Sequence, residues 1–166
     1  MSGASYRGHL EVARYLTQHG ADVDQRDEMG GRPLMHASWK GHLPVVAFLL
    51  EQRADCNSVD ARGFSALHSV SKKGDHAAVA HRLLEHGADR DLVAQSAFTP
   101  LFAAAFQGRR AVSVVLLSWG ASRTPPAALR GISLEDIATH AGKAELAQFY
   151  TDTADWDRLC FAHELA

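Results

Sequence analysis

Glycine returns along this chain with a period of 33 or 34 residues, and no other feature constrains the fold as tightly. Gly8-His9, Gly41-His42, Gly74-Asp75, Gly108-Arg109 and Gly142-Lys143 stand 33, 33, 34 and 34 residues apart. A second series runs beside it: Gly20-Ala21-Asp22, Arg53-Ala54-Asp55, Gly87-Ala88-Asp89 and Gly120-Ala121-Ser122. A third is Arg32-Pro33-Leu34-Met35, Ser65-Ala66-Leu67-His68 and Thr99-Pro100-Leu101-Phe102. Three series on one period specify a solenoid, in which each unit buries its apolar face only against its neighbours. Such a stack offers a surface rather than a pocket, and the function it points to is binding another macromolecule.

The 166 residues suit about five stacked units. Apolar residues make up 46%, enough for a core that runs the length of the stack. The net charge of −2 argues against whole-molecule attraction to nucleic acid or an anionic membrane. Cys56 and Cys160 lie far apart, which is neither a disulfide framework nor a metal knuckle. A reducing, intracellular setting follows, cytoplasmic with the nucleus as the alternative. The opening residues lack the apolar run of a signal peptide. The apolar stretches near 97–106 and 112–117 are too short to span a bilayer.

Within one unit, Asp27-Glu28-Met29-Gly30 is turn chemistry. Arg32-Pro33 then opens a helix, with proline where its missing N–H costs nothing. Ser65 and Thr99 place a hydroxyl at the N-cap in sister units. A first helix is expected over 33–40, ended by Gly41, and a second over 43–52. Val45, Val46, Leu49 and Leu50 give the second helix its apolar stripe. Helix, turn, helix and loop then repeat.

The motifs Asp60-x-x-Gly63-x-Ser65-Ala66-Leu67-His68, Thr99-Pro100-Leu101-x-Ala103-Ala104 and Gly41-His42-Leu43-Pro44-Val45-Val46-x-x-Leu49-Leu50 resemble the ankyrin repeat family. Gly20-Ala21-Asp22-Val23 adds to the likeness, which covers nearly the whole chain. It implies an all-α ankyrin-repeat solenoid: L-shaped units, each a helix pair with a β-hairpin-like finger. By register the chain is one domain, 1–166. A half repeat covers 1–25, full repeats cover 26–58, 59–92 and 93–125, and a degenerate repeat covers 126–154. A partial repeat or capping helix follows over 155–166. Glu135 stands in a slot otherwise held by leucine, and the loop from Thr124 through Pro125 and Pro126 departs from a standard finger. Gly74 to Ala88 is one residue longer than Gly41 to Ala54, placing the extra residue near Asp75-His76-Ala77. In the tail, Trp156, Leu159 and Phe161 are expected to cover the last core layer. The tail either caps the stack or leads into a longer parent chain, and both ends fall mid-unit.

In proteins of this kind, partner contacts come from the fingertips and the concave side of the first helices. That resemblance, carried by register, selects the fingertip positions Glu28, Met29, Gly31, Ala61, Arg62, Phe64, Gln95, Ser96, Phe98, Leu129, Arg130 and Ile132. On the helices it selects Tyr6-Arg7, Trp39-Lys40, Lys72-Lys73, Phe106-Gln107 and His140-Ala141. The face so drawn is aromatic and cationic, with Glu28 its one acid. Aromatic residues and arginine are the types enriched at binding hot spots. The expected partner is another protein, through an extended or helical segment bearing acidic and apolar side chains. Charge would steer it, and Trp39 with Phe106 would anchor it.

The ten histidines do not require an enzyme. His9 and His42 repeat after the turn glycine, His19 and His86 precede the next turn, and His68 fills a slot that in the family bonds backbone between units. Asp60, Ser65 and His68 resemble a hydrolase triad only superficially, since Ser65 caps a helix and no oxyanion site accompanies it. His81 and His86 are five apart, off a shared ligating face, and no metal or cofactor motif is present. Arg32/Met35 and Thr99/Phe102 lack the hydroxyl–histidine pairing, so local stability is expected to peak in the unit of Ser65 and His68. Two other roles stand beside an interaction module. Asn57, eight residues after Leu49, lies where ankyrin proteins resemble substrates of asparaginyl hydroxylases. The stack could also be the targeting or regulatory part of a larger multidomain protein.

Overall fold

The computed structural model describes residues 1–152. Ten α-helices lie among them, in five pairs: α1 Ser2–Arg7 with α2 Leu10–Gln18, α3 Pro33–Lys40 with α4 Leu43–Glu51, α5 Ala66–Lys73 with α6 Ala77–Glu85, α7 Pro100–Gln107 with α8 Arg110–Ser118, and α9 Leu134–His140 with α10 Ala144–Thr151. First helices pack on first helices from α1 through α9, and second helices on second helices from α2 through α8, giving two parallel rows. Trp156, Leu159, Phe161 and Cys160, with the rest of the expected partial repeat, lie outside the described residues.

The local signals act where the sequence puts them. Pro33 and Pro100 open their helices, and the Ser65 and Thr99 hydroxyls accept from the backbone three residues on. Gly41 ends α3 at φ +76, where a Cβ would run into the His76 ring. Gly74, by contrast, sits at φ −131, because the extra residue lengthens the link from α5 to α6 and removes the need for a left-handed turn. The extra residue therefore lies where the spacing predicts it. Its carboxylate, Asp75, caps α8 of the next unit through the amides of Ala111 (3.0 Å) and Val112 (2.9 Å).

Leu34, Leu67 and Leu101 fill one slot in three successive units and are buried, as are Val45 with Leu49, Val79 with Leu83 and Val112 with Leu116 behind them. In the fifth pair Leu134, Ile137 and Ala138 fill the core, while Glu135 turns outward to Arg123 at 2.9 Å. The resemblance implies β-hairpin fingers, but no strand forms among the described residues. The fingers at Asp27, Asp60 and Ala94 are tight turns, each held by two backbone bonds, as in Asp27 to Gly31 (2.8 Å) with Gly30 to Asp27 (3.0 Å) and Asp60 to Phe64 (3.0 Å) with Gly63 to Asp60 (3.0 Å). Neighbouring fingers touch through few bonds: the Ala61 amide to Met29 at 3.5 Å, and the Gln95 amide to Arg62 at 3.1 Å beside its side-chain amide to Ala61 at 3.1 Å. Two residues per arm are too few for a ladder.

The loops behind the helices are stitched by a side chain at one recurring position. Asp24 accepts from the Asp55 amide (3.0 Å), Asn57 from that of Asp89 (2.6 Å), and Asp91 from that of Ser122 (2.7 Å). Asn57 adds a second tie, its amide donating to the Gly87 carbonyl at 3.0 Å. Asn57→Ala is expected to lower stability by about 1 kcal/mol, the size of such exposed bonds, as read from the urea midpoint.

Ser65 and His68 form a reciprocal capping box, and the far ring nitrogen of His68 donates to the Phe98 carbonyl at 3.1 Å. Met35 and Phe102 occupy the same slot with no such group. Amide exchange is therefore expected to be slowest in α5 and α6; slower exchange in α3 and α4 would contradict this. The fifth pair carries an unexpected second box, in which Ser133 and Asp136 cap α9 reciprocally. No helix among the described residues is long and apolar enough to cross a membrane.

Candidate functional site

The period that builds the core also stacks the last turn of each first helix beside the next finger. Two hollows open along that seam. The first, of about 200 Å³, lies between α1, α3, α5 and the fingers of the second and third units. It brings together Tyr6, Met29, Trp39, Arg62, Phe64 and Lys72 from the positions selected by register. The second, of about 160 Å³, is lined by Phe64, Lys72, Ser96, Phe98, Ala103, Phe106 and Gln107. Met29 is 70% exposed, Tyr6 45% and Phe106 44%, so these apolar groups stand ready for contact. Trp39 and Phe98 are half-buried, whereas Phe64 is buried and forms a wall shared by both hollows.

The cations do not stand apart from the rings. Lys40 lies over Tyr6 at 4.4 Å from the ring centroid, and Lys73 over Trp39 at 5.9 Å, each reaching from one unit to the ring of the unit before. Lys72 at 4.0 Å and Arg62 at 5.2 Å both lie over Phe64. Phe98 and Phe106 meet at 6.0 Å between ring centroids. The charged end of each cation thus lies against ring surface. Arg7 lies at the exposed end of α1, and Arg130 and His140 lie exposed in the fifth unit; none of the three lines either hollow.

The seam is not as free of acid as register suggests. Asp27, His36 and Asp60 also line the first hollow. His36 and Asp27 meet at 2.6 Å, and the same carboxylate accepts from the amides of Met29 and Gly31. Burial pushes the Asp27 carboxyl up, but the His36 bond and those amides outweigh it and leave the group below its ordinary value. Asp60 repeats the pattern, holding the amides of Arg62 and Phe64 and the Arg62 guanidinium at 3.3 Å. Both carboxylates are turned into their own fingers. Lys72 has no ion pair among the described residues, and burial, then the nearby Arg62, lowers its ammonium's value. Asp-x-x-Gly turns at a 33-residue spacing were the signal for Asp27 and Asp60; His36 carried none.

Ser65 and His68 of the triad-like set are shut inside the fold. Ser65 is 2% exposed and His68 0%, and the Ser65 hydroxyl accepts from the His68 backbone amide. The His68 ring is closed in by Ser65 on one side and by the Phe98 carbonyl on the other, with no approach for a substrate. No group of three metal-ligating side chains occurs among the described residues. His81 faces Glu85 at 3.4 Å and the edge of Trp119. Cys56 is buried and donates to the His86 carbonyl, and burial, with Asp55 beside it, raises its thiol above the ordinary range. Asn57 is exposed, but its amide is held at both ends by the loop ties.

A family model described as ankyrin repeats, three copies, matches residues 2–60 and again 52–124. No curated protein matches the chain.

Proposed function

The chain belongs to the ankyrin-repeat family, whose members are generally protein–protein interaction modules, and from that premise we propose that it is a non-catalytic scaffold, adaptor or inhibitor. Its partner segment lies along the seam of fingertips and first helices. The observation that carries this reading is the first hollow, where exposed Tyr6 and Met29 join half-buried Trp39 beside a lysine with no ion pair among the described residues. Partners of mixed acidic and apolar character fit it: the apolar groups fill the hollows, and the acidic groups meet Arg62, Lys72 and Lys73. The setting consistent with this role is intracellular.

A peptide-display screen against the full chain tests the proposal. Enriched sequences should lose binding about tenfold with Trp39→Ala and about tenfold with Phe106→Ala, typical of truncating an interface aromatic, while the circular dichroism spectrum is retained. Binding that is indifferent to both substitutions would refute the seam as the site.

A further inference from the structure

The two hollows are one unit apart, and they share a single partition. Phe64 forms that partition, and the Lys72 ammonium lies 4.0 Å from its ring centre, on the ridge between them. No carboxylate among the described residues forms an ion pair with it: Asp60, whose charge favours the ammonium, is bonded to Arg62 and to its own finger, and Asp27 to His36. At about 200 and 160 Å³, each hollow falls below the range that takes a whole small ligand, and is sized for one large side chain.

Packed helices stand about 8–10 Å apart, which sets the step from one hollow to the next. A chain in the polyproline conformation advances about 3.1 Å per residue and returns to the same face every third residue, or about 9 Å. It therefore presents apolar side chains i and i+3 at the spacing of the hollows. A regular β-strand puts i and i+3 on opposite faces, and a helix about 10 Å wide would rest on the ridge rather than enter either hollow.

Resting on the seam reading above, we propose that the groove selects an extended partner segment with two large apolar residues three apart and a carboxylate between them, set on Lys72. Lys72 is then a specificity-determining residue, and the two aromatic hollows fix the spacing.

The test uses the full chain and three labelled peptides in a Pro-rich frame, read by fluorescence anisotropy. One carries Leu-Pro-Glu-Leu, one replaces Glu with Gln, and one inserts a second Pro so that the leucines are four apart. Against the wild type, the Gln peptide should bind about tenfold more weakly, in line with losing one charged contact, and the lengthened peptide should lose binding similarly. Against Lys72→Gln, the Glu and Gln peptides should bind alike, because the group that tells them apart is gone. A Glu preference that survives in Lys72→Gln overturns the assignment of Lys72, and equal binding of the lengthened peptide overturns the spacing. If all three peptides bind the wild type equally but need Trp39 and Phe106, the seam reading stands and this inference fails. If none binds, this inference fails, and the display screen with Trp39→Ala and Phe106→Ala alone decides the seam reading.

Discussion

Acidifying the protein from pH 7 to pH 4 is expected to remove on the order of 3 kcal/mol of stability through one side chain, His68. Burial lowers this imidazole from its ordinary 6.5 to about 4; the donated bond to Phe98 raises it only in part, and Lys72 lowers it further. The folded state therefore refuses a proton that the unfolded chain accepts, and stability drops with falling pH wherever the unfolded state binds more protons. The contribution is whole above about pH 6.5 and drains as the pH falls toward about 4, at 1.36 kcal/mol per unit of displacement. The depressed carboxylates act in the same direction but lower on the scale: Asp27 and Asp136 lose their contribution as the pH falls below their ordinary value of 3.8. His68→Phe is the matched control, because the sister unit holds Phe102, fully buried, in the same slot. Urea midpoints measured from pH 7 to pH 4 should fall steeply for the wild type and shallowly for the variant. Equal slopes would refute the assignment. The effect reaches the groove, since the His68 ring holds the Phe98 carbonyl and Phe98 walls the second hollow.

The parts legible in the sequence are those that a period can carry. The glycine register placed Gly41 and the helix pair around it. The one-residue count from Gly74 to Ala88 located the lengthened turn, and the hydroxyl–histidine slot gave the His68 tie. Register also gathered Tyr6, Trp39, Lys72 and Phe106 on one seam. What it could not carry is the direction in which a side chain turns. Asp27 and Asp60 read as turn formers, which they are, but their carboxylates also border the hollow. Lys40, Lys72 and Lys73 read as free cations, yet they lie on rings contributed by a neighbouring unit or finger, a pairing that depends on how far each unit steps over the last. The Ser133–Asp136 box went unread because aspartate replaces the histidine of the repeat. The fingers stayed turns because their arms are too short to pair as strands.

Leu67→Ala is expected to cost about 3 kcal/mol and, unlike an equal loss at the end of the stack, to divide the molecule into two unfolding units. Leu67 is 0% exposed in α5, the helix that touches both α3 and α7. Truncating a buried leucine removes its transfer free energy and leaves a cavity that the backbone closes only in part. In a solenoid, the stability of one half reaches the other only through the interfaces between them, and α5 contributes to both central ones. Leu134, 1% exposed in α9, supports a site nearer the carboxy-terminal end, so Leu134→Ala should lower the midpoint without splitting the transition. Trp39 in α3 and Trp119 just after α8 report on the two sides. Their fluorescence, recorded in single-tryptophan forms, should change together in wild type and in Leu134→Ala. In Leu67→Ala the two urea transitions should separate, the mark of lost two-state behaviour. Coincident transitions in Leu67→Ala at one lowered midpoint would show instead that the rows of helices couple the halves without the Leu67 layer. The same variant probes the groove from below, because α5 carries Lys72: if the central layer loosens, the ridge between the hollows loosens with it, and peptide selectivity between Glu and Gln should fade before either hollow is altered directly.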